Sequence, residues 1–214
     1  YTLLVWNDLG MHCISDNDAY FVFLPPANTL FAQLFKRGDK PELITDGVKI
    51  LYEVEEGYRN PARHVDFWKY EDKIFGTDLP EGIGLAGKGI KGELDLHGNN
   101  FIAHMIPVTP YKDDKTFNPY PVFTVKAINE ETGEELITTQ AVAPTSTEMG
   151  CRNCHGGGWK NNNTAGVADE TAINILRVHD KYNKTTLLVD AEAGNPKLCQ
   201  SCHPDPAVGA AGLP

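Results

Sequence analysis

Pro121-Val122-Phe123-Thr124-Val125-Lys126-Ala127-Ile128-Asn129 is followed, after Glu130-Glu131-Thr132-Gly133-Glu134, by Glu135-Leu136-Ile137-Thr138-Thr139-Gln140-Ala141-Val142-Ala143. The two arms are rich in strand formers. A five-residue connection that carries a glycine is a standard way to join antiparallel strands, so the stretch predicts a β-hairpin. Working outward, residues 1–7 hold the short apolar run Thr2-Leu3-Leu4-Val5-Trp6. Residues 19–24 form another, closed by Pro25-Pro26, which stops any regular element. Residues 28–36 carry Leu30 and Leu34, and Phe31 and Phe35, at four-residue spacing, which fits a short helix or a strand. Residues 47–54 alternate and predict a strand, residues 81–92 are glycine-dense and predict turns, and residues 95–105 predict one more strand. Short strands between Pro and Gly turns give a mainly β fold class, with a β-sandwich-like domain or partial barrel over residues 1–144.

Composition changes after Pro144. Residues 145–214 predict a small, loop-rich segment with one helix. Asp169 is the expected N-cap and Glu170 lies in the first turn. Ala172, Ile175, Leu176 and His179 fall at i, i+3, i+4 and i+7 and share a face, and the helix ends near Asn183. This segment holds two copies of Cys-x-x-Cys-His: Cys151-Arg152-Asn153-Cys154-His155 and Cys199-Gln200-Ser201-Cys202-His203. That is the attachment signature of c-type haem. Two thiols three positions apart can each form a thioether to a haem vinyl group, and the next residue, His, supplies a nitrogen to the iron. The segment has too few apolar residues for its own core, so two covalently attached c-type haems are expected to furnish the buried surface.

Other uses of these cysteines are weaker. A zinc site would draw on both Cys-x-x-Cys pairs, but the interval from Cys154 to Cys199 exceeds zinc-ribbon spacing, and zinc gives no reason for His to follow each pair. A thioredoxin-like pair needs a strand–helix context, and the sequence ahead of each motif predicts none. Two disulfides remain conceivable in an exported protein. Cys13 stands outside the pairs; a buried thiol is the default expectation, with an intermolecular disulfide or a single-thioether haem anchor as the alternatives.

The chain has 214 residues, 41% of them hydrophobic and 22% charged, which is ordinary globular composition. No apolar run approaches the ~20 residues of a membrane helix, so no membrane span is expected. The chain opens with Tyr1 and its first methionine is Met11, which suggests a processed, exported form. A net charge of −10 argues against nucleic acid and favours basic redox partner proteins, although plain solubility explains it as well. Asn162-Asn163-Thr164 and Asn183-Lys184-Thr185 match glycosylation sequons but read as polar loops.

Each low-spin haem iron needs a second axial ligand. Beyond the proximal His155 and His203, the remaining histidines are His12, His64, His97, His104 and His179. His179, on the apolar stripe of the helix between the two motifs, is the first candidate. His12 in Leu9-Gly10-Met11-His12-Cys13 is the second. His97 and His104 flank a predicted strand, and His64 lies in a polar stretch expected at the surface. The methionines Met11, Met105 and Met149 rank below the histidines.

Further stretches resemble segments of a family of exported bacterial multihaem c-type cytochromes: Trp6-Asn7-Asp8-Leu9-Gly10-Met11-His12-Cys13, Leu24-Pro25-Pro26-Ala27-Asn28-Thr29-Leu30, Pro107-Val108-Thr109-Pro110-Tyr111, and Asn174-Ile175-Leu176-Arg177-Val178-His179-Asp180 with the second haem motif. The resemblance implies electron transfer outside the cytoplasm, in the periplasm or at the cell surface, with His12 and His179 in recurring motifs. Its members continue beyond the position of Gly212-Leu213-Pro214 with further histidines. A ligand supplied by an adjacent copy, in a homo-oligomer or homopolymer, is therefore part of the expectation. The expected function is that of a non-enzymatic dihaem electron carrier with bis-His, low-spin haems. The rivals are a subunit of an extracellular cytochrome filament, and a dihaem peroxidase or reductase with one open iron.

Overall fold

The hairpin is present as β9 (Val122–Asn129) and β10 (Glu135–Val142), antiparallel, in a computed structural model that describes residues 1–15, 19–22, 24–147 and 169–203. Asn129 builds its turn. Its side-chain oxygen accepts the N–H groups of Glu131 (3.0 Å) and Thr132 (2.9 Å), and Gly133 takes the left-handed conformation at φ 72°. Alternation then decides which face is buried: Phe123, Val125 and Ala127 point inward and are fully buried. Burying side chains of this size contributes about 1.5–3 kcal/mol each for the larger ones.

The described chain is mainly β and falls into two compact units. The first unit comprises Tyr1–His12, Pro26–Pro61 and Gly82–Thr145. It holds β1 (Thr2–Asn7), β4 (Asn28–Lys36), β5 (Glu42–Ile44), β6 (Val48–Val54), β7 (Lys91–His97), β8 (Asn100–Ile106), β9 and β10. They form one eight-stranded antiparallel sheet in the order β1-β4-β8-β7-β6-β9-β10, with β5 added on β4. The two ends of that order, β1 and β10, come into contact, so the sheet is nearly closed on itself. Its inner face carries Leu30, Leu34, Ile50, Leu94, Ile106, Phe123 and Val125. Residues 28–36, open to two readings in the sequence, are a central strand. Leu30, Ala32 and Leu34 alternate inward at 0% exposure while Phe31 and Phe35 face outward, which a helix would not produce.

The single strand expected over residues 95–105 is instead the turn and return arm of a hairpin. β7 and β8 pair across Gly98-Asn99, with His97 opposite Asn100 and Gly98 at φ 62°. Farther along β8 the ladder with β4 is irregular. Leu30 pairs with Ala103 but Asn28 pairs with Ile106, so His104 and Met105 together oppose Thr29. This is a β-bulge. Met105 sits at φ 52°, a conformation that costs a non-glycine residue on the order of 1–3 kcal/mol. Its N–H donates to Thr29 Oγ1 at 3.3 Å, and its carbonyl oxygen lies where a Cβ on Gly84 would stand.

The second unit comprises Cys13–Pro25, Ala62–Glu81 and Ser146–Pro214. Its described elements are β3 (Phe21–Val22) parallel to β12 (Lys197–Leu198), and the helices α1 (Phe67–Phe75), α2 (Asp169–Asn183) and α3 (Leu187–Glu192). Helix α1 has no clear signal in the sequence. It ends at Gly76, left-handed at φ 68°, and Lys73 Nζ donates to Gly194 O at 2.6 Å. Helix α2 matches the expected helix, and α3 is an addition to it. Ala172, Leu176 and Ala191 form a small buried cluster with Tyr20, Ile175, Leu187, Leu188 and Cys199 against it.

Of the described residues in the strand expected at 19–24, Phe21–Val22 are extended and paired. Two further short strands, β2 (His12–Cys13) and β11 (Thr145–Ser146), pair with each other.

Candidate functional site

The second Cys-x-x-Cys-His motif is a tight turn. Cys199–Ser201 form one turn of 3-10 helix, and Cys199 O accepts the N–H groups of both Cys202 (3.1 Å) and His203 (3.0 Å). Residues three apart eclipse in such a turn, so the two thiols stand on one side of it. Cys199 is half-buried against the helical cluster and Cys202 is exposed. His203 is exposed. Ser201 Oγ donates to Leu198 O at 2.6 Å and fixes the turn from its far side.

His179 meets this turn. It lies one helical turn beyond Leu176 and Ile175, on the stripe that forms the cluster. Its ring centroid is 6.3 Å from that of His203, with the ring planes at 90°. One ring nitrogen is already committed. His179 Nδ1 lies 2.9 Å from Thr185 Oγ1, and Thr185 donates its hydroxyl proton to Asp180 Oδ1 at 2.6 Å. A threonine has one proton to give, so Thr185 accepts from His179. The proton of the neutral imidazole is therefore on Nδ1, and Nε2 keeps its lone pair.

Asp180 anchors the arrangement. Besides Thr185 it accepts the N–H groups of Leu187 (Oδ1, 2.9 Å) and Leu188 (Oδ2, 2.9 Å) at the start of α3. The residue before that helix, Thr186, makes no side-chain cap bond, so Asp180 does the capping from the preceding helix. Desolvation pushes the Asp180 carboxyl up. The bonds from Thr185, Leu188 and Leu187 and the charge of His179 outweigh it and hold the pKa below the ordinary carboxylate value.

His12 is held differently. Its side chain is 12% exposed, and its Nε2 lies 2.5 Å from Asp8 Oδ1. Its N–H donates to Pro144 O at 2.9 Å, and Asn28 Nδ2 donates to the same carbonyl at 3.0 Å. His12 is thereby fixed to the chain just ahead of the first motif in sequence. Cys151, Cys154 and His155 of that motif lie outside the described residues, as do Met149, Asn162-Asn163-Thr164 and Gly212-Leu213-Pro214. Cys13 is a half-buried free thiol rather than a buried one. His64 is half-buried with its Nε2 enclosed, not a surface residue. His97 and His104 are exposed, with ring centroids 5.8 Å apart.

The structure thus brings together Cys199, Cys202, His203 and His179, all of which sequence reasoning singled out. It adds Thr185 and Asp180, which that reasoning missed. The signal was Thr185-Thr186 directly before the apolar pair Leu187-Leu188, a helix-start pattern with its capping carboxylate on the wrong side of the turn. Among the described residues no set of three or more His, Cys, Asp or Glu side chains converges as a metal-ion site. Among them, too, no helix is long and apolar enough to cross a membrane. Comparison with protein-family models, with curated proteins and with solved structures finds no match.

Proposed function

We propose that the protein is an extracytoplasmic electron-transfer protein carrying two covalently attached c-type haems. One is held by Cys199 and Cys202 and ligated by His203 and His179. The other is held by Cys151 and Cys154 with His155 as a ligand and His12 as its candidate partner. Bound haem would supply a one-electron iron couple, and the porphyrin would bring four nitrogen donors of its own. The chain then has to provide two imidazoles and no third side chain.

The observation that carries this reading is the separation of His179 and His203. A metal–imidazole bond of about 2.0–2.1 Å, with about 1.2 Å from nitrogen to ring centre, puts two imidazoles on opposite sides of one metal about 6.4 Å apart. Their centroids are 6.3 Å apart. The bond from His179 Nδ1 to Thr185 supports the same reading, because a ligating histidine commonly donates its other ring N–H to a neighbour that fixes tautomer and orientation.

The roles of the remaining residues follow. Cys199 and Cys202 would hold the group through two thioether bonds, each S–H having added across one vinyl with nothing lost. The eclipsed positions of the two thiols suit two neighbouring vinyls. Ile175, partly buried one turn before His179, would present apolar surface that excludes water from one face of the group. For His12, the side-chain bond to Asp8 engages Nε2, so ligation through that atom requires Asp8 to let go.

The test is optical. The full chain purified with its bound groups should show two haems per chain by pyridine haemochrome absorbance and an all-low-spin spectrum. His179→Ala should turn one of the two high-spin and leave the other unchanged. A colourless protein, or an unchanged low-spin spectrum in that variant, overturns the proposal or its ligand assignment respectively.

A further inference from the structure

The hairpin of β7 and β8 carries a second pair of imidazoles, apart from the residues assigned above. His97 ends β7, His104 lies in β8, and their ring centroids are 5.8 Å apart with planes at 72°. Both are exposed. In the regular ladder His97 faces Asn100 and Asp95 faces Ile102, so His97 and His104 stand on the outer face with Ile102 between them. Two hydrogen-bonding aromatic rings brought together on a solvated surface gain little from each other, yet the chain accepts an irregular backbone at this point. His104 and Met105 form the two-residue side of the bulge, and Met105 is left-handed. Bulges re-aim side chains.

We propose that His97 and His104 form a surface site for a divalent late first-row transition-metal ion, with water completing the coordination and copper(II) serving as the spectroscopic probe. Imidazole is the ligand such ions prefer among neutral side chains. The geometry fits. With metal–nitrogen bonds of about 2.0–2.1 Å, two imidazole centroids stand about 5.2 Å apart at a tetrahedral angle and about 6.4 Å apart when opposed. The observed 5.8 Å falls between those limits, as a bent, solvent-open site requires. Asp95, two residues before His97 on the same face, is paired with Lys88 Nζ at 2.7 Å and stays outside the metal's shell. The pair lies wholly within the first unit, so the proposal does not depend on haem.

Copper(II) titrated into the full chain with its bound groups, followed by electron paramagnetic resonance, tests it. The expected result is one saturable copper signal per chain with hyperfine coupling to two imidazole nitrogens. His97→Ala and His104→Ala should each weaken binding at least ten-fold and remove one nitrogen coupling. Both positions are exposed, so thermal unfolding of the variants should match that of the parent and show that the fold is intact. His64→Ala serves as the control and should leave the signal unchanged. Binding that persists in the His97→Ala/His104→Ala double variant, or coupling to a single nitrogen in the parent, overturns the proposal.

Discussion

The hydroxyl of Thr185 stands 2.9 Å from Nδ1 of His179 and can only accept from it, because its own proton goes to Asp180 at 2.6 Å. Three side chains within seven residues of sequence therefore settle which nitrogen of one imidazole is available. Thr185→Val keeps the shape and removes the acceptor. We expect a loss of about 0.5–1 kcal/mol in urea unfolding, because water at this exposed position replaces the two lost hydrogen bonds only in part. On the proposed ligation of one haem by His179, Thr185→Val should also give a mixture of spin states there, with Thr185→Ser restoring the parent spectrum. An unchanged spectrum in Thr185→Val would remove the orienting role from this hydroxyl.

Asp180 makes the link between α2 and α3 sensitive to acid. Its pKa is lowered in the folded chain, so its contribution to stability is present above the ordinary carboxylate value of 3.8 and is lost as pH falls through the lower folded value. Protection of the Leu187 and Leu188 amides from hydrogen exchange, relative to an unfolded peptide at the same pH, should be high at neutral pH and fall as pH drops through the lowered value of Asp180, where protonation weakens their acceptor. Asp180→Asn should show the reduced protection already at pH 7 and flatten the pH dependence.

Gly84 is required for space alone. A Cβ there would stand 2.4 Å from Met105 O, a backbone atom that cannot swing away. Gly84→Ala should destabilise the first unit by about 1–3 kcal/mol, the usual consequence of overpacking, as read by equilibrium denaturation. Gly98→Ala is strained for a different reason, its φ of 62°, although the space beside it is open.

Much of the sheet was legible because alternation fixes a strand wherever one face is buried. Residues 47–54 and 121–143 show it directly, and residues 169–183 show the helical counterpart. Elements held by contacts distant in sequence were not legible. Helix α1 is tied to Gly194 by a single lysine, and its one-sided burial rests on Phe67 and Glu71, a pattern too sparse to read as a period. The bulge at residues 104 and 105 was hidden for a related reason: β8 keeps a normal strand composition, and only pairing with β4 exposes the extra residue. At the candidate site Cys199, Cys202, His203 and His179 were singled out by spacing and face, whereas Asp180 and Thr185 act through a turn whose geometry no short motif records.

Asn28 ties the central strand β4 to the chain that leaves the sheet at Pro144. Its Nδ2 donates to Pro144 O and to Thr145 Oγ1, both at 3.0 Å, and it is fully buried. Asn28→Ala should cost about 1–3 kcal/mol, because two acceptors lose a buried donor. Asn28→Asp should be the more damaging change, since it adds a charge and withdraws both donors. Urea unfolding of the two variants against the parent checks that order.

The bulge can also be viewed as an edit in chain length. Ala103 and Ile106 both face the core, three positions apart, where strict alternation would allow two or four. Excising Met105 alone would return the strand to perfect parity, free Gly84 of its crowding neighbour and remove the left-handed residue, all without moving one core side chain to the wrong face. A tidier sheet is thus a single codon away. The extra residue stands beside His104 on the exposed side, so the insertion alters the outside of the sheet against the preference of its inside.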